Sequence, residues 1–282
     1  MRQKITSLCA IALGLAATIQ AENGPDSLKQ VKLDEVVVSA VRAGKNTPVA
    51  FSSFNEKEIK KENAAKNIPY LLQTLPSVVA FSEDGSGVGN TSLRIRGVDA
   101  SRINVTLNGM PLNNPESQEV YWVDFPDVSN ALQSIQVQRG VGTSSNGTAS
   151  MGGSISLNTA GARPKAYGEM NGSLGSYNTY LYNVSAGTGI LKNGLSFDGR
   201  YSQVRGDGYI RNGKVDHQGI YAALSYYGSK DLFRFSYLHG TQHTGITWEG
   251  ISPEQVAIDR RYNPAGEYTD DKGQTQYYKN ET

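Results

Sequence analysis

His217, His239 and His243 are the only histidines in the chain, so any metal or proton chemistry that needs imidazole must use them. His239 and His243 would share one face of a strand. Four residues of strand span about 13 Å at ~3.3 Å each, too far for one metal ion whose ligands must stand about 2 Å away. No Ser/His/Asp arrangement and no nucleophile elbow stands out. GVGTSSNG (140–147) is glycine-rich but lacks the lysine and the following helix of a phosphate loop. SEDGSG (82–87) carries two carboxylates without the ligand spacing of an EF-hand loop. The reading is a non-enzyme, with no catalytic residue, no metal site and no cofactor. One stretch does ask for a partner. LDEVVVSA (33–40) sets three valines behind two acids. It is a short β-prone segment with no neighbouring strand in the sequence, either an ordinary buried strand or one that adds itself to the sheet edge of another protein.

The elements around these residues limit what they can do. The chain has 282 residues and a formal net charge of +1, which leaves no electrostatic footprint for nucleic acid. MRQKITSLCAIALGLAATIQA reads as a secretory signal with a basic start at Arg2 and Lys4 and cleavage after Ala21. The single cysteine, Cys9, lies inside it. The mature chain then has no disulfide or thiol chemistry. No later segment offers the roughly 20 apolar residues of a membrane helix, so a membrane would have to be crossed by strands. Residues 22–50 read as an extended segment containing the valine stretch. From 51 to 162 the texture is α+β. EKEIKKENAAKNIPYLLQTLPSV suggests two short helices around Pro69, the second turning Leu71, Leu72 and Leu75 inward. SLRIRGV and INVTLNGMPL alternate as strands, the second turning at Asn108-Gly109. PDVSNALQ carries the Asp, Ser and Asn of a helix start. SIQVQRG and GSISLNTAG are again strands.

From 163 to 282 the pattern changes to strand-length blocks of clean alternation. Met170, Gly172 and Leu174 oppose Glu169, Asn171 and Ser173. Tyr180, Tyr182, Val184 and Ala186 oppose Thr179, Asn183 and Ser185. Leu195, Phe197 and Tyr201 oppose Ser196, Asp198, Arg200 and Ser202. GIYAALSYYG and LFRFSYLHG follow, the latter with Phe233, Phe235 and Tyr237 on one face. Membrane strands need about 9–11 residues, apolar toward lipid and polar toward a lumen. LKNG and GSKD are tight turns, while 205–217 and the segment after His239 are long, the asymmetry of an outer-membrane barrel. A soluble β-sandwich also alternates. About five such strands cannot close a barrel. An open edge in lipid would leave about ten unpaired backbone groups at several kcal/mol each, more than a domain's net stability. Either the strands lie outside a membrane or the sequence is the front part of a longer protein, and the second is expected.

The order of signal, valine box, α+β domain and membrane-type strands resembles the TonB-dependent outer-membrane receptors. LDEVVVSA resembles their TonB box in the form common among Bacteroides-like bacteria. RIRGVDASRINVTLNGMPLN and SIQVQRGVGTSSNGTASMGGSISLNTAG resemble the two signature regions of their plug domain. The resemblance implies an α+β plug followed by the first strands of an antiparallel transmembrane β-barrel of about 22 strands. It places the protein in the outer membrane of a Gram-negative bacterium, with lipid around the barrel and the N-terminus in the periplasm. It implies that Asp34, Glu35, Val36, Val37, Val38 and Ser39 bind TonB, whose inner-membrane complex supplies the energy. It implies that Arg96 and Arg139 pair with barrel glutamates. It sets Asn113, Asn114, Glu116, Gln118, Tyr121 and Trp122 in or beside plug loops that face a small-molecule nutrient, with Trp248 as a stacking or interface residue. The implied function is active import of a scarce bulky nutrient such as an iron–siderophore, haem or cobalamin. A passive pore, an adhesin or scaffold barrel, and a non-functional receptor fragment are the other readings.

Overall fold

A computed structural model describes residues 42–44, 47–63, 66–141, 151–265 and 267–277. The signal and the valine box lie outside the described residues.

The first domain is built on a five-stranded sheet. Its strands are β1 (Ala50–Asn55), β4 (Ile103–Leu107), β5 (Met110–Pro111), β6 (Leu132–Arg139) and β7 (Gly153–Thr159), in the order β1-β6-β7-β4-β5. β4 and β7 are parallel, and the other pairs are antiparallel. A separate hairpin pairs β2 (Val78–Ser82) with β3 (Thr91–Ile95). Helix α1 (Glu56–Glu62) starts where Asn55 and Glu58 form a reciprocal capping box. Helix α2 (Ile68–Leu72) has Pro69 in its first turn, where no backbone N–H is needed, and buries Leu71 and Leu72 as expected. The core joins Ile59, Ile68, Leu71 and Leu72 of the helices to Ile103, Val105, Ile135, Val137, Ile155 and Leu157 of the sheet.

Two expectations shift. SLRIRGV ends as a strand at Ile95, because Arg96 and Gly97 both take positive φ, 54° and 79°, and turn the chain. PDVSNALQ makes only a short 3-10 turn at Val128–Ala131 before β6 begins. Asp127 does not cap it, because the residue sits at φ 52° with its carboxylate occupied elsewhere. The Asn108-Gly109 turn is as expected, with φ 51° and 81° at its two central residues.

The second part is an antiparallel sheet of β8 (Tyr167–Leu174), β9 (Tyr180–Gly187), β10 (Leu195–Gly206), β11 (Val215–Tyr227) and β12 (Leu232–Thr244), paired in sequence order. One face is apolar and open: Leu174 is 92% exposed, Met170 76%, and Phe233 and Phe235 67% each. The other face buries Asn183, Ser196, Arg200, Ser202, His217 and Ser225. The end with turns 188–194 and 228–231 is the short-turn end. The end with 207–214 and the segment after Thr244 is the long-loop end, where helix α3 (Pro253–Ile258) and the small hairpin β13 (Glu267–Thr269) and β14 (Thr275–Tyr277) lie. Among the described residues no helix is long and apolar enough to cross a membrane.

Candidate functional site

The first domain rests on the polar face of the β8–β12 sheet, and that contact is the site from which function can be argued. At its centre, the loop Asp124–Asp127 lies against β11 and β12. Gly219 and Gly240 are register partners on these strands. A Cβ on Gly240 would stand 2.8 Å from Pro126 Cδ, and one on Gly219 would stand 2.9 Å from Pro126 O. Glycine within a strand marks a close backbone approach, and here two facing glycines make the hollow in which Pro126 sits. Gly240→Val is expected to lift this loop from the sheet. Limited proteolysis should then cut at 124–130 several-fold faster; an unchanged rate would show that the hollow does not hold the loop.

Beside Pro126 is a buried ion pair. Arg200 Nη1 of β10 stands 3.3 Å from Asp127 Oδ2, with side chains 6% and 1% exposed. The same nitrogen donates to Asp127 O at 2.8 Å. Asn130 Nδ2 donates to Asp127 Oδ1 at 2.5 Å, and Asn183 Nδ2 to Oδ2 at 3.5 Å. Burial pushes the Asp127 carboxyl up, and Arg200 and Asn130 oppose that shift. The carboxylate thus joins a domain loop to strands β9 and β10.

Two further contacts flank this centre. Toward the long-loop end, residues 82–90 dock through Val88, which clusters with Leu181, Val204 and Val215. Asp84 O accepts from Tyr209 N and Ile210 N at 3.1 Å each. Asn67 holds the loop's shape by donating from Nδ2 to Val88 O at 2.7 Å and Gly89 O at 2.9 Å. Toward the short-turn end, Lys60 of α1 bridges Glu56 at 2.8 Å and Glu169 of β8 at 3.4 Å. Arg163 hydrogen-bonds Glu169 and lies 4.0 Å from the Tyr167 ring centroid. Tyr227 Oη accepts from Ala162 N at 3.0 Å, tying the interdomain chain to β11.

The residues singled out from sequence are distributed as follows. Asp34 through Ser39 lie outside the described residues. Arg96 and Arg139 come together at one corner of the domain: Arg96 N donates to Ser77 O at 2.8 Å, and Arg139 Nη1 donates to Pro76 O at 3.3 Å. The Arg96 guanidinium lies over Gly140. Among the described residues neither forms an ion pair, and Arg139 Nε is buried without a partner.

Asn113 is saturated by backbone, accepting from Val105 N and donating to Ile103 O and Gln118 O. Asn114 accepts from Glu116 N and Ser117 N and so shapes its own turn. Gln118 folds back on Pro115 O. Glu116 and Tyr121 are exposed. Trp122 is 3% exposed in the core and presents no ring face for stacking, while Trp248 is 56% exposed. His217 is buried on the polar face, and His239 and His243 are exposed. No metal-holding cluster occurs among the described residues.

Asp127, Arg200, Pro126, Gly219 and Gly240 were not singled out as a site by the sequence. The available signal was weak: two glycines inside strands, and an arginine on a face otherwise of Ser and Asp.

A domain of this topology seated on the polar face of long antiparallel strands defines a class. Residues 43–154 match the TonB-dependent receptor plug domain. This stretch of the chain is therefore similar to the plug domain of those receptors, and it is followed by long antiparallel strands. It is 26% identical over 188 residues to the ferrienterobactin receptor of Escherichia coli (strain K12), covering 63% of this chain and 24% of that protein. It is 22% identical over 233 residues to the probable TonB-dependent siderophore receptor PirA of Acinetobacter baumannii, covering 73% of this chain and 30% of that protein. The structure of the ferric citrate transporter FecA in the unliganded form shares the fold, with a TM-score of 0.62 at 20% identity over 77% of this chain and 34% of that one. The chain thus spans about a quarter to a third of the length of these proteins.

Proposed function

We infer that this chain works in TonB-dependent active import of a scarce, bulky nutrient, of the iron-chelate class first and haem or cobalamin next. The observation that carries the reading is the seat just described. The plug is fixed to the polar face of the strands by a buried ion pair, a proline in a glycine hollow and a docked loop, so it obstructs the lumen until it is moved. The valine box at 34–39, β-prone by its sequence, is a segment that an energised partner can grip through the backbone. In this reading the open apolar face meets outer-membrane lipid, the long loops face outside, and the N-terminus is periplasmic. The names of the curated relatives favour a ferric siderophore. Growth of a strain lacking its other receptors, on ferric enterobactin, ferric citrate, haem or cobalamin as the limiting nutrient, tests the cargo. Growth on one iron source that depends on this protein supports the iron class; growth on none of the iron sources rejects it.

Arg96 and Arg139, clustered and without carboxylate partners among the described residues, fit pairing with barrel glutamates. Arg96→Gln with Arg139→Gln is expected to ease plug release in a denaturant titration of the receptor. An unchanged midpoint would count against the pairing.

A further inference from the structure

The first described residues are held across the face of the plug sheet, away from its edge. Arg42 spans two strands: Nη1 donates to Ser134 Oγ of β6 at 2.9 Å, and Nη2 donates to Ser156 O of β7 at 2.9 Å. Two longer bonds, Nε to Ser156 Oγ at 3.3 Å and Nη2 to Ser134 O at 3.4 Å, complete the grip. At the next residue, the Gln136 side-chain amide accepts from Ala43 N at 2.7 Å and donates to Ala43 O at 3.0 Å. This is the reciprocal pair that one strand gives another, made here by a side chain. Gln136 is braced by Gln138 Nε2 at 3.2 Å. Ala43 is buried. The chain then reaches β1, an edge strand whose Ala50 pairs with Arg139.

A load carried by the chain before Arg42 has two ways into the plug. Through Arg42 and Gln136 it reaches β6 and β7, which are inner strands. Past them it reaches the start of β1, whose ladder would open pair by pair from Ala50. Arg42 comes first along the chain, and its bonds are charge-assisted, roughly twice as strong as neutral ones. We propose that Arg42 and Gln136 form a load-entry clamp: a pull on the preceding segment is received by β6 and β7 and passes to β1 only after the clamp opens. The groups involved are a guanidinium, an amide, two hydroxyls and backbone. Each can bond to water once released, so opening carries a small net penalty and is reversible. The source of the pull rests on the import reading; the clamp itself does not.

The test pulls the full-length receptor in a lipid bilayer through a handle attached within residues 24–30. Wild type should show a first rupture followed by a separate release of β1. Arg42→Ala should lose the first rupture and keep the second at its original force. Arg42→Lys, which keeps the charge but loses the fork, should give an intermediate force. Gln136→Met, similar in size, should weaken the first rupture without unfolding the sheet. A second readout needs no force: in a receptor freed of any other cysteine, Ala43→Cys should react with a maleimide several-fold faster when Arg42 is also replaced by Ala. A first rupture unchanged in both Arg42→Ala and Gln136→Met, or equal labelling rates, overturns the clamp. Failure of the import reading would appear as uptake without energy and would leave these results intact.

Discussion

Arg200→Met is expected to loosen the plug from the strands by about 3–5 kcal/mol, because it leaves the Asp127 carboxyl buried without its counter-charge. The two side chains are 6% and 1% exposed, so water cannot replace the lost partner. Burial already pushes the Asp127 carboxyl up, and without Arg200 the group must either take a proton or stay charged in a poor environment. At roughly 1–3 kcal/mol per molar urea, the plug-release midpoint should fall by about 1 M or more. The informative control is the double variant Arg200→Met with Asp127→Leu. Replacing both members of a buried pair by apolar groups is often close to neutral, so the double variant should recover much of the loss. Non-additivity of that size is the mark of a direct contact. Independent, additive effects would show that Asp127 and Arg200 do not act on one another in the protein.

Val37→Pro is expected to abolish energised uptake while leaving nutrient binding at the outer face intact. An extended segment that adds to a partner's sheet edge is gripped through its backbone N–H and C=O groups. Proline removes one N–H and clashes with continued pairing, whereas most substitutions would change only side chains. Val37→Ala should therefore be far milder than Val37→Pro. Binding of radiolabelled ferric enterobactin or ferric citrate to whole cells, measured in the cold, separates capture from transport. Normal uptake by Val37→Pro would remove the box from the account. The Arg42 clamp, three residues beyond Ser39, lies on the same line of force but is read by a different experiment.

Much of the fold was legible because it is periodic. The alternation of Leu195, Phe197 and Tyr201 against Ser196, Asp198, Arg200 and Ser202 reports a two-faced strand without reference to any other part of the chain. Asn108-Gly109 names its turn for an equally local reason. The seat was not legible, because its members are brought together by register. Asp127 and Arg200 are 73 residues apart. Gly219 and Gly240 face each other only once β11 and β12 are paired. Leu181, Val204 and Val215 break the polar-inside pattern, and their reason is Val88 on a loop of the other domain. Trp122 misled in the opposite sense: the family resemblance set it beside a ligand-facing loop, but a 3-10 turn carries its ring into the core. Gln136 alternates correctly as the polar face of β6, and nothing local shows that its amide serves as a strand neighbour to Ala43.

The central claim is that movement through this protein is driven from outside the chain. The most direct test is uptake of radiolabelled ferric enterobactin, ferric citrate, haem and cobalamin by cells carrying the full-length receptor, with and without a protonophore. The account predicts that at least one of the four is taken up, that uptake stops when the proton-motive force is dissipated, and that surface binding persists. Uptake indifferent to the protonophore would mean a passive pore and would contradict it.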